Sequence, residues 1–288
     1  MPGLGSRVAR SWRLIQASLE VLRADNALLV LPAISGLATT ALGAGFVALA
    51  LSDGTFAAMR EGGRLHPSGP FYAWLFSWYV VQYFVVIFFN TALVGAAIGL
   101  LGGGRPTVGA ALRLALGRIG VILGYAVISA TVGVLLQAIA ERLGIIGRLI
   151  EGVFGLAWTA ATFLVIPILA AEGIGPWQAV ERSTTLLRKT WGENLIGNAG
   201  ISLVMSMISV TIALVGFGGG MQLFTHGYPV LGVALFAAAG TALLLVILVS
   251  AALSGIYAAA VYCYAVIGQP PVDFDSDLIR DAFTRKGA

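Results

Sequence analysis

An all-α, polytopic transmembrane helix bundle is the fold class this sequence predicts, and three observations predict it. Apolar stretches long enough to cross a bilayer recur about six times. Charged residues make up only 10% of the chain, where a soluble protein carries about 25%. Basic, amphipathic segments fall between the stretches. A span needs roughly 20 apolar residues to cover a hydrocarbon core about 30 Å thick, and Ala27–Leu51, Phe71–Leu101, Ile119–Ala140, Gly152–Ala171, Leu195–Phe217 and Pro229–Ile267 all qualify. They pair in order as three helical hairpins. The chain therefore reads as a single integral membrane domain, with an amphipathic segment at 1–26, the bundle at 27–267 and a cytoplasmic segment at 268–288.

The first stretch is far longer than the roughly 7–15 apolar residues of a signal peptide, so it is expected to remain as a helix. The single cysteine, Cys263, lies inside the last stretch and excludes an intramolecular disulfide. A bacterial-type inner membrane fits. Orientation follows from lysine and arginine, because positive loops resist translocation. Arg7, Arg10, Arg13 and Arg23 precede the first span, and Arg105, Arg113 and Arg118 follow the second. Arg182, Arg188 and Lys189 follow the fourth, and Arg280, Arg285 and Lys286 follow the sixth. These are thirteen of the 17; the opposite side holds Arg60, Arg64, Arg142 and Arg148. Both termini are expected in the cytoplasm, and the basic excess points to anionic headgroups rather than nucleic acid.

The chain looks like one pattern written three times: an interfacial helix, a span, an outer loop and a returning span. The returning spans end in similar punctuation, Gly104-Arg105-Pro106, Gly175-Pro176 and Gly268-Gln269-Pro270, where glycine stops one helix and proline opens the next. A shift of seventy residues lays Pro106 on Pro176, Leu116 on Leu186 and Arg118 on Arg188; a separate shift brings Ser18, Leu22 and Arg23 onto Ser183, Leu187 and Arg188. From Pro176 to about Trp191, helical projection puts Ala179, Val180, Ser183, Leu186, Leu187, Thr190 and Trp191 on one side. Glu181, Arg182, Thr185, Arg188 and Lys189 fall on the other. Such a helix is expected in the headgroup plane, apolar face down. Val8, Trp12, Ile15, Leu19 and Leu22 make a similar stripe, and Leu278, Ile279, Ala282 and Phe283 a shorter one.

Two returning stretches exceed a bilayer: as helices Phe71–Leu101 would run roughly 46 Å and Pro229–Ile267 roughly 58 Å. Gly240 could divide the second, but a seventh crossing would put Arg280, Arg285 and Lys286 outside; a single crossing with an outer extension is preferred. Glycine recurs at helix-packing spacing, as in Gly95-x-x-x-Gly99, Gly120-x-x-x-Gly124 and Ser129-x-x-x-Gly133. Phe71, Tyr72, Trp74, Trp78 and Tyr79 suit an outer aromatic belt.

Chemistry is scarce. No ionisable residue falls near the centre of a span, which argues against a proton-coupled carrier. His66 and His226 have no local ligand spacing, no Gly-x-Ser-x-Gly elbow appears, and neither metal, cofactor nor enzymatic activity is expected. Embedded polar residues remain, among them Gln82, Gln137, Thr159, Thr162 and Ser209. Asn90, Asn198, Ser202 and Ser206 form the candidate polar seam, whose bland reading is interhelical hydrogen bonding. Val215-Gly216-Phe217-Gly218 resembles a potassium filter over four residues but lacks the leading threonine and a pore helix. A glycine-rich turn over Gly216–Gly220 is the expectation there.

In Ile166–Gly197, Pro167, Glu172, Gly173, Pro176, Ala179, Ser183, Trp191 and Gly192 form a pattern that resembles an uncharacterised family of six-helix bacterial integral membrane proteins. Tyr262-x-Tyr264 before Gly268 is similar too, and the likeness reads as covering the whole chain. The arrangement also looks like the membrane domain of some glycerophosphodiester phosphodiesterases, without their soluble catalytic domain. The resemblance implies a fold and a membrane address and no substrate or catalytic residue.

The expected function is a non-enzymatic bundle that organises lipid or a partner protein at the cytoplasmic face, with Arg10, Arg13, Arg182, Arg188 and Lys189 as candidate interfacial lipid-binding residues. The lipid is expected to be anionic, and a homo-oligomer or a membrane partner is compatible with the glycine pattern. The alternative is a channel or carrier for an ion or small solute through the seam. In a Cys263→Ser background, single cysteines at Ser6 and Ser276 should resist an impermeant thiol reagent in intact cells while one at Ser68 reacts. Labelling at Ser276 but not Ser6 would indicate an odd number of crossings.

Overall fold

The computed structural model describes residues 27–52, 69–189 and 194–267, and all the regular structure there is helical. In order these are α1 (Ala27–Ser52), α2 (Gly69–Leu101), α3 (Val108–Gly117), α4 (Ile119–Thr162), α5 (Val165–Ala171), α6 (Pro176–Lys189), α7 (Asn194–Ala213), a π-helical turn (Leu214–Gly218), α8 (Gly219–Thr225) and α9 (Pro229–Ile267). Five helices among the described residues are long and apolar enough to cross a membrane: Leu28–Ser52, Ala73–Leu101, Ile119–Ala171, Val204–Thr225 and Pro229–Val266. The amphipathic segments at 1–26 and 268–288, with Arg10 and Arg13, lie outside the described residues. Two compact units result, one of residues 33–189, the other joining residues 1–32 to 190–288.

In the first unit α4 is two antiparallel arms. Gly144 has φ 58 and ψ −124, backbone no L side chain adopts comfortably, and the chain reverses there. Past the reversal Gly147 lies against Ile139 and Ala140, so close that a Cβ would sit 2.5 Å from the Ile139 carbonyl oxygen. Tyr125 on the first arm meets Thr162 on the second. The sequence places spans at Ile119–Ala140 and Gly152–Ala171 with a loop between. The structure instead carries helix through both ends of that segment and confines the turn to one glycine, because each arm then satisfies its own backbone groups. Counted separately, the two arms make about six apolar segments among the described residues that are long enough to cross a membrane.

α1 pairs antiparallel with α2. Gln82 Nε2 donates to the Thr39 carbonyl oxygen at 3.1 Å, and Phe46 meets Trp78 edge to face with centroids 5.2 Å apart. The far half of α2 is the centre of the unit: Ala92, Leu93, Val94 and Ala97 are buried, and Thr91 returns its hydroxyl to the Ile87 carbonyl oxygen at 2.7 Å. α3, α4 and α5 all pack on α2.

The seventy-residue repeat is visible in backbone geometry. α2 ends at Leu101 and α5 at Ala171; Gly103 and Gly173 follow with φ 82 and 62; Gly102 N–H and Glu172 N–H donate to the Ile98 and Ile168 carbonyls at 3.0 and 2.8 Å. A short helix starts after each. α3 is capped by Thr107, whose Oγ1 accepts from Ala110 N–H at 3.2 Å, and α6 opens on Pro176. The small residues that precede them are their seats: Gly95 faces Leu114, and Gly124 faces Pro176. The third copy of the punctuation, Gly268 to Pro270, falls outside the described residues.

α6 corrects one expectation. Ala179, Val180, Ser183, Leu186 and Leu187 form its apolar face, and all five are buried. The helix packs on α4 and α5, so the apolar stripe meets protein and is not free to enter lipid. A projection shows which face is apolar, not what covers it.

In the second unit α7, the π-helical turn and α8 form one continuous rod that returns through α9. Gly216–Gly220, read from sequence as a turn, is helical; the reversal comes at Gly227, φ 84. Here the glycines serve close packing. A Cβ at Gly216 would collide with the Ala239 Cβ, one at Gly220 would lie 2.6 Å from the Phe236 ring, and one at Gly232 2.8 Å from the Gly220 carbonyl oxygen. The fifth span thus runs to Thr225 rather than Phe217. Gly240 sits inside an unbroken α9 with open space around it, so the long last stretch extends rather than breaks.

Gly216→Val should lower stability by about 1–3 kcal/mol, the usual result of overpacking, while Gly240→Ala should be neutral or stabilising by about 0.5–1 kcal/mol. Thermal unfolding in detergent distinguishes them; equal destabilisation would count against the contact of the π-helical turn with α9.

Candidate functional site

Polar side chains gather in three places. One is a groove of about 850 Å³ in the first unit, between α2 and the two arms of α4, toward the Gly144 end. The antiparallel arms make it: Gly133, Leu136 and Gln137 line it from the first arm, and Arg148, Glu151, Gly152, Gly155 and Leu156 from the second. Tyr79 donates its hydroxyl to Gln137 Oε1 at 3.1 Å, and Gln137 Nε2 donates to Glu141 Oε1 at 3.1 Å. Tyr83 stacks on Tyr79 with centroids 6.1 Å apart and places its hydroxyl over Gly133. Arg148 and Glu151 line the second arm, and the wall between them and Leu156 is glycine, Gly152 and Gly155. Sequence reasoning scattered these residues among an aromatic belt, a span interior and an outer loop. The balance of Gln137 and Glu141 against Arg148 and Glu151 about Gly144 was the available signal.

The second place is a narrower groove of about 360 Å³ in the other unit, between α7 and α9. Ser202, Ser206 and Ser209 line it from α7, and Ser250 and Ser254, which the sequence reading passed over, line it from α9. Asn198 is on α7. Asn90 is half-buried on α2, in the first unit. The serines of the expected seam thus gather on one groove, and Asn90 belongs to the other unit.

The third place is the end of the first unit where α3 and α6 sit. Arg105, Arg113, Arg182 and Arg188 are exposed there; Lys189 is the last residue of α6. The joint beneath them is built from residues that carried the family likeness, of which Trp191 and Gly192 lie outside the described residues. Pro167 lacks an N–H and its ring excludes the carbonyl of Phe163, so the helix breaks between α4 and α5. The Leu164 N–H at the break donates to Ser183 Oγ of α6 at 3.2 Å, with Ser183 fully buried. Gly173 lies under the Arg118 guanidinium, which occupies the place of any side chain there. Glu172 pairs with Arg182 at 3.4 Å, an exposed ion pair worth about 0–1 kcal/mol. Glu172, Gly173, Pro176, Ala179 and Ser183 are thus one structural joint, which fixes α6 and its arginines against the bundle.

This architecture defines an all-α membrane protein built of helical hairpins with short helices packed across one end. The chain belongs to a family of unknown function, DUF6159, whose model matches residues 70–272. The match takes in α2 to α9 and leaves α1 outside it, so the family likeness covers less than the whole chain. No curated protein matches.

Ser183→Ala should cost about 1–3 kcal/mol, because it leaves a buried donor at Leu164 unsatisfied. Leu187→Glu should be worse than Thr185→Glu, since Leu187 is buried and Thr185 exposed. Expression level and thermal midpoint in detergent check both; equal tolerance of the two glutamates would contradict the packing of α6.

Proposed function

We propose that the protein is a non-enzymatic integral membrane protein of a bacterial inner membrane, with both termini cytoplasmic, that organises anionic lipid at its cytoplasmic face. The observation that carries this reading is the end of the first unit: α3 and α6 pack across it, and Arg105, Arg113, Arg182 and Arg188 face outward. Trp177 is exposed on α6 at helical spacing from Glu181 and Arg188, and tryptophan beside arginine suits the headgroup layer. Because the apolar face of α6 is used inside the protein, attraction to the surface rests on charge, about 1 kcal/mol for each arginine near an anionic leaflet. Arg10, Arg13 and Lys189 extend the same basic side by sequence. A second copy of the chain or a membrane partner would bind alongside lipid rather than replace it.

The serine groove between α7 and α9 favours a second reading, a channel or carrier for an ion or small solute, because hydroxyls lining a groove can replace water around a solute.

Native mass spectrometry of protein reconstituted in anionic and neutral lipid mixtures, run beside an ion-flux assay, separates the two. Retention of anionic lipid should fall roughly tenfold or more in Arg182→Gln/Arg188→Gln, consistent with about 1 kcal/mol per site. A flux abolished by Asn90→Leu, Asn198→Leu or Ser206→Leu, with no lipid preference, would install the channel or carrier instead.

A further inference from the structure

The groove at the Gly144 end answers to none of this. It lies at the opposite end of the first unit from α3 and α6, and its residues play no part in the basic surface. Arg148 and Glu151 are one helical turn apart on the same arm, so their heads project to one side at neighbouring heights. Among the described residues neither forms an ion pair; the pair that forms is Arg182 with Glu172. A guanidinium and a carboxylate at neighbouring heights on one arm, neither in an ion pair with another described residue, match a ligand that carries both charges in fixed proximity. Next to them the wall changes character. Gly152 and Gly155 each face open space, such that an added Cβ would meet nothing within 4 Å. Glycine between membrane helices ordinarily lets a second helix approach, and at Gly147, Gly216 and Gly220 it does so here. At Gly152 and Gly155 no other described residue comes within that distance. The room left is a smooth trough that leads from the charged pair toward Leu136 and Leu156.

We propose that this groove is a binding site for an aminophospholipid, a glycerophospholipid whose headgroup joins a phosphate to a primary ammonium through a two-carbon spacer. Arg148 takes the phosphate, where its planar fork can donate two parallel hydrogen bonds. Glu151 takes the ammonium. One acyl chain lies along Gly152 and Gly155 against Leu136 and Leu156. Tyr79 is committed to Gln137 and Gln137 to Glu141, which holds the wall opposite the charges in place. A purely anionic headgroup leaves Glu151 facing a negative charge, and a trimethylated ammonium offers Glu151 no hydrogen bond, so the primary amine is the headgroup both residues accept.

The test uses the full-length protein in detergent, exchanged against phosphatidylethanolamine, phosphatidylcholine or phosphatidylglycerol. Retained lipid is counted by native mass spectrometry and read as the difference between wild type and variant, so that lipid held at the basic end cancels. The groove should prefer phosphatidylethanolamine by about tenfold, the order expected for one charge-assisted contact. Glu151→Gln should shift that preference to phosphatidylglycerol, because Arg148 remains. Arg148→Gln should lose both lipids. Gly155→Leu, whose side chain starts in open space, should empty the groove with its thermal midpoint unchanged or raised, and Arg142→Gln should change nothing. Retention of the three lipids without preference, or a Glu151→Gln variant with the wild-type order of preference, overturns the proposal. So does full phosphatidylethanolamine retention in a folded Gly155→Leu.

Discussion

In hydrocarbon the backbone must satisfy its own hydrogen bonds, and that constraint decides where this chain can turn. Every described residue with positive φ is a glycine: Gly103, Gly144, Gly173 and Gly227. One follows α2, one divides α4, one follows α5 and one joins α8 to α9. At each, a side chain would cost about 1–2 kcal/mol in left-handed backbone, and the alternative of a longer loop would leave more unsatisfied carbonyls near the membrane. Tight reversal by a single residue fixes the register of the arms it joins. Gly147 meets Ile139 and Ala140, and Gly216 meets Ala239, because Gly144 and Gly227 are where they are.

The other glycines fall into two physical classes. Gly95, Gly124, Gly147, Gly216, Gly220 and Gly232 touch a neighbour so closely that a Cβ would crowd it. They work as seats, two of them for the short helices α3 and α6 rather than for another span. Gly152, Gly155 and Gly240 touch nothing. A lipid-embedded helix gains little from glycine in such a place, since the residue costs about 0.5–1 kcal/mol against alanine in a helix. At Gly152 and Gly155 the space opens beside ionisable and hydroxyl side chains; at Gly240 no groove forms.

Charge is distributed with the same economy. The core of the first unit is apolar, and its buried polar groups are answered locally: Thr91 by the Ile87 carbonyl, Ser183 by the Leu164 N–H. Among the described residues of this unit the arginines and glutamates fall toward the two ends of the long helices. At one end they lie on short helices held by a buried serine and a proline-induced break; at the other they line a trough between two arms of one hairpin.

The sequence by itself determined the class, because the length and apolarity of Ala27–Leu51, Phe71–Leu101 and Pro229–Ile267 leave no soluble alternative. It also determined the seventy-residue repeat, since the glycine and proline punctuation is local chemistry that reports on helix ends. Pro176–Lys189 was legible as a helix for the same reason. What covers its apolar face was decided only by tertiary packing: a stripe of Ala179, Ser183 and Leu187 looks alike whether it meets lipid or α4. The Gly216–Gly220 string misled because glycine is equally suited to a turn and to close helix contact, and the neighbour that settles the matter, Ala239, is distant in sequence. The groove of Tyr79, Gln137, Arg148 and Glu151 was invisible for a geometric reason. Its residues come together only when Gly144 folds α4 back on itself, and a periodicity read along one helix carries no information about the arm that lies beside it.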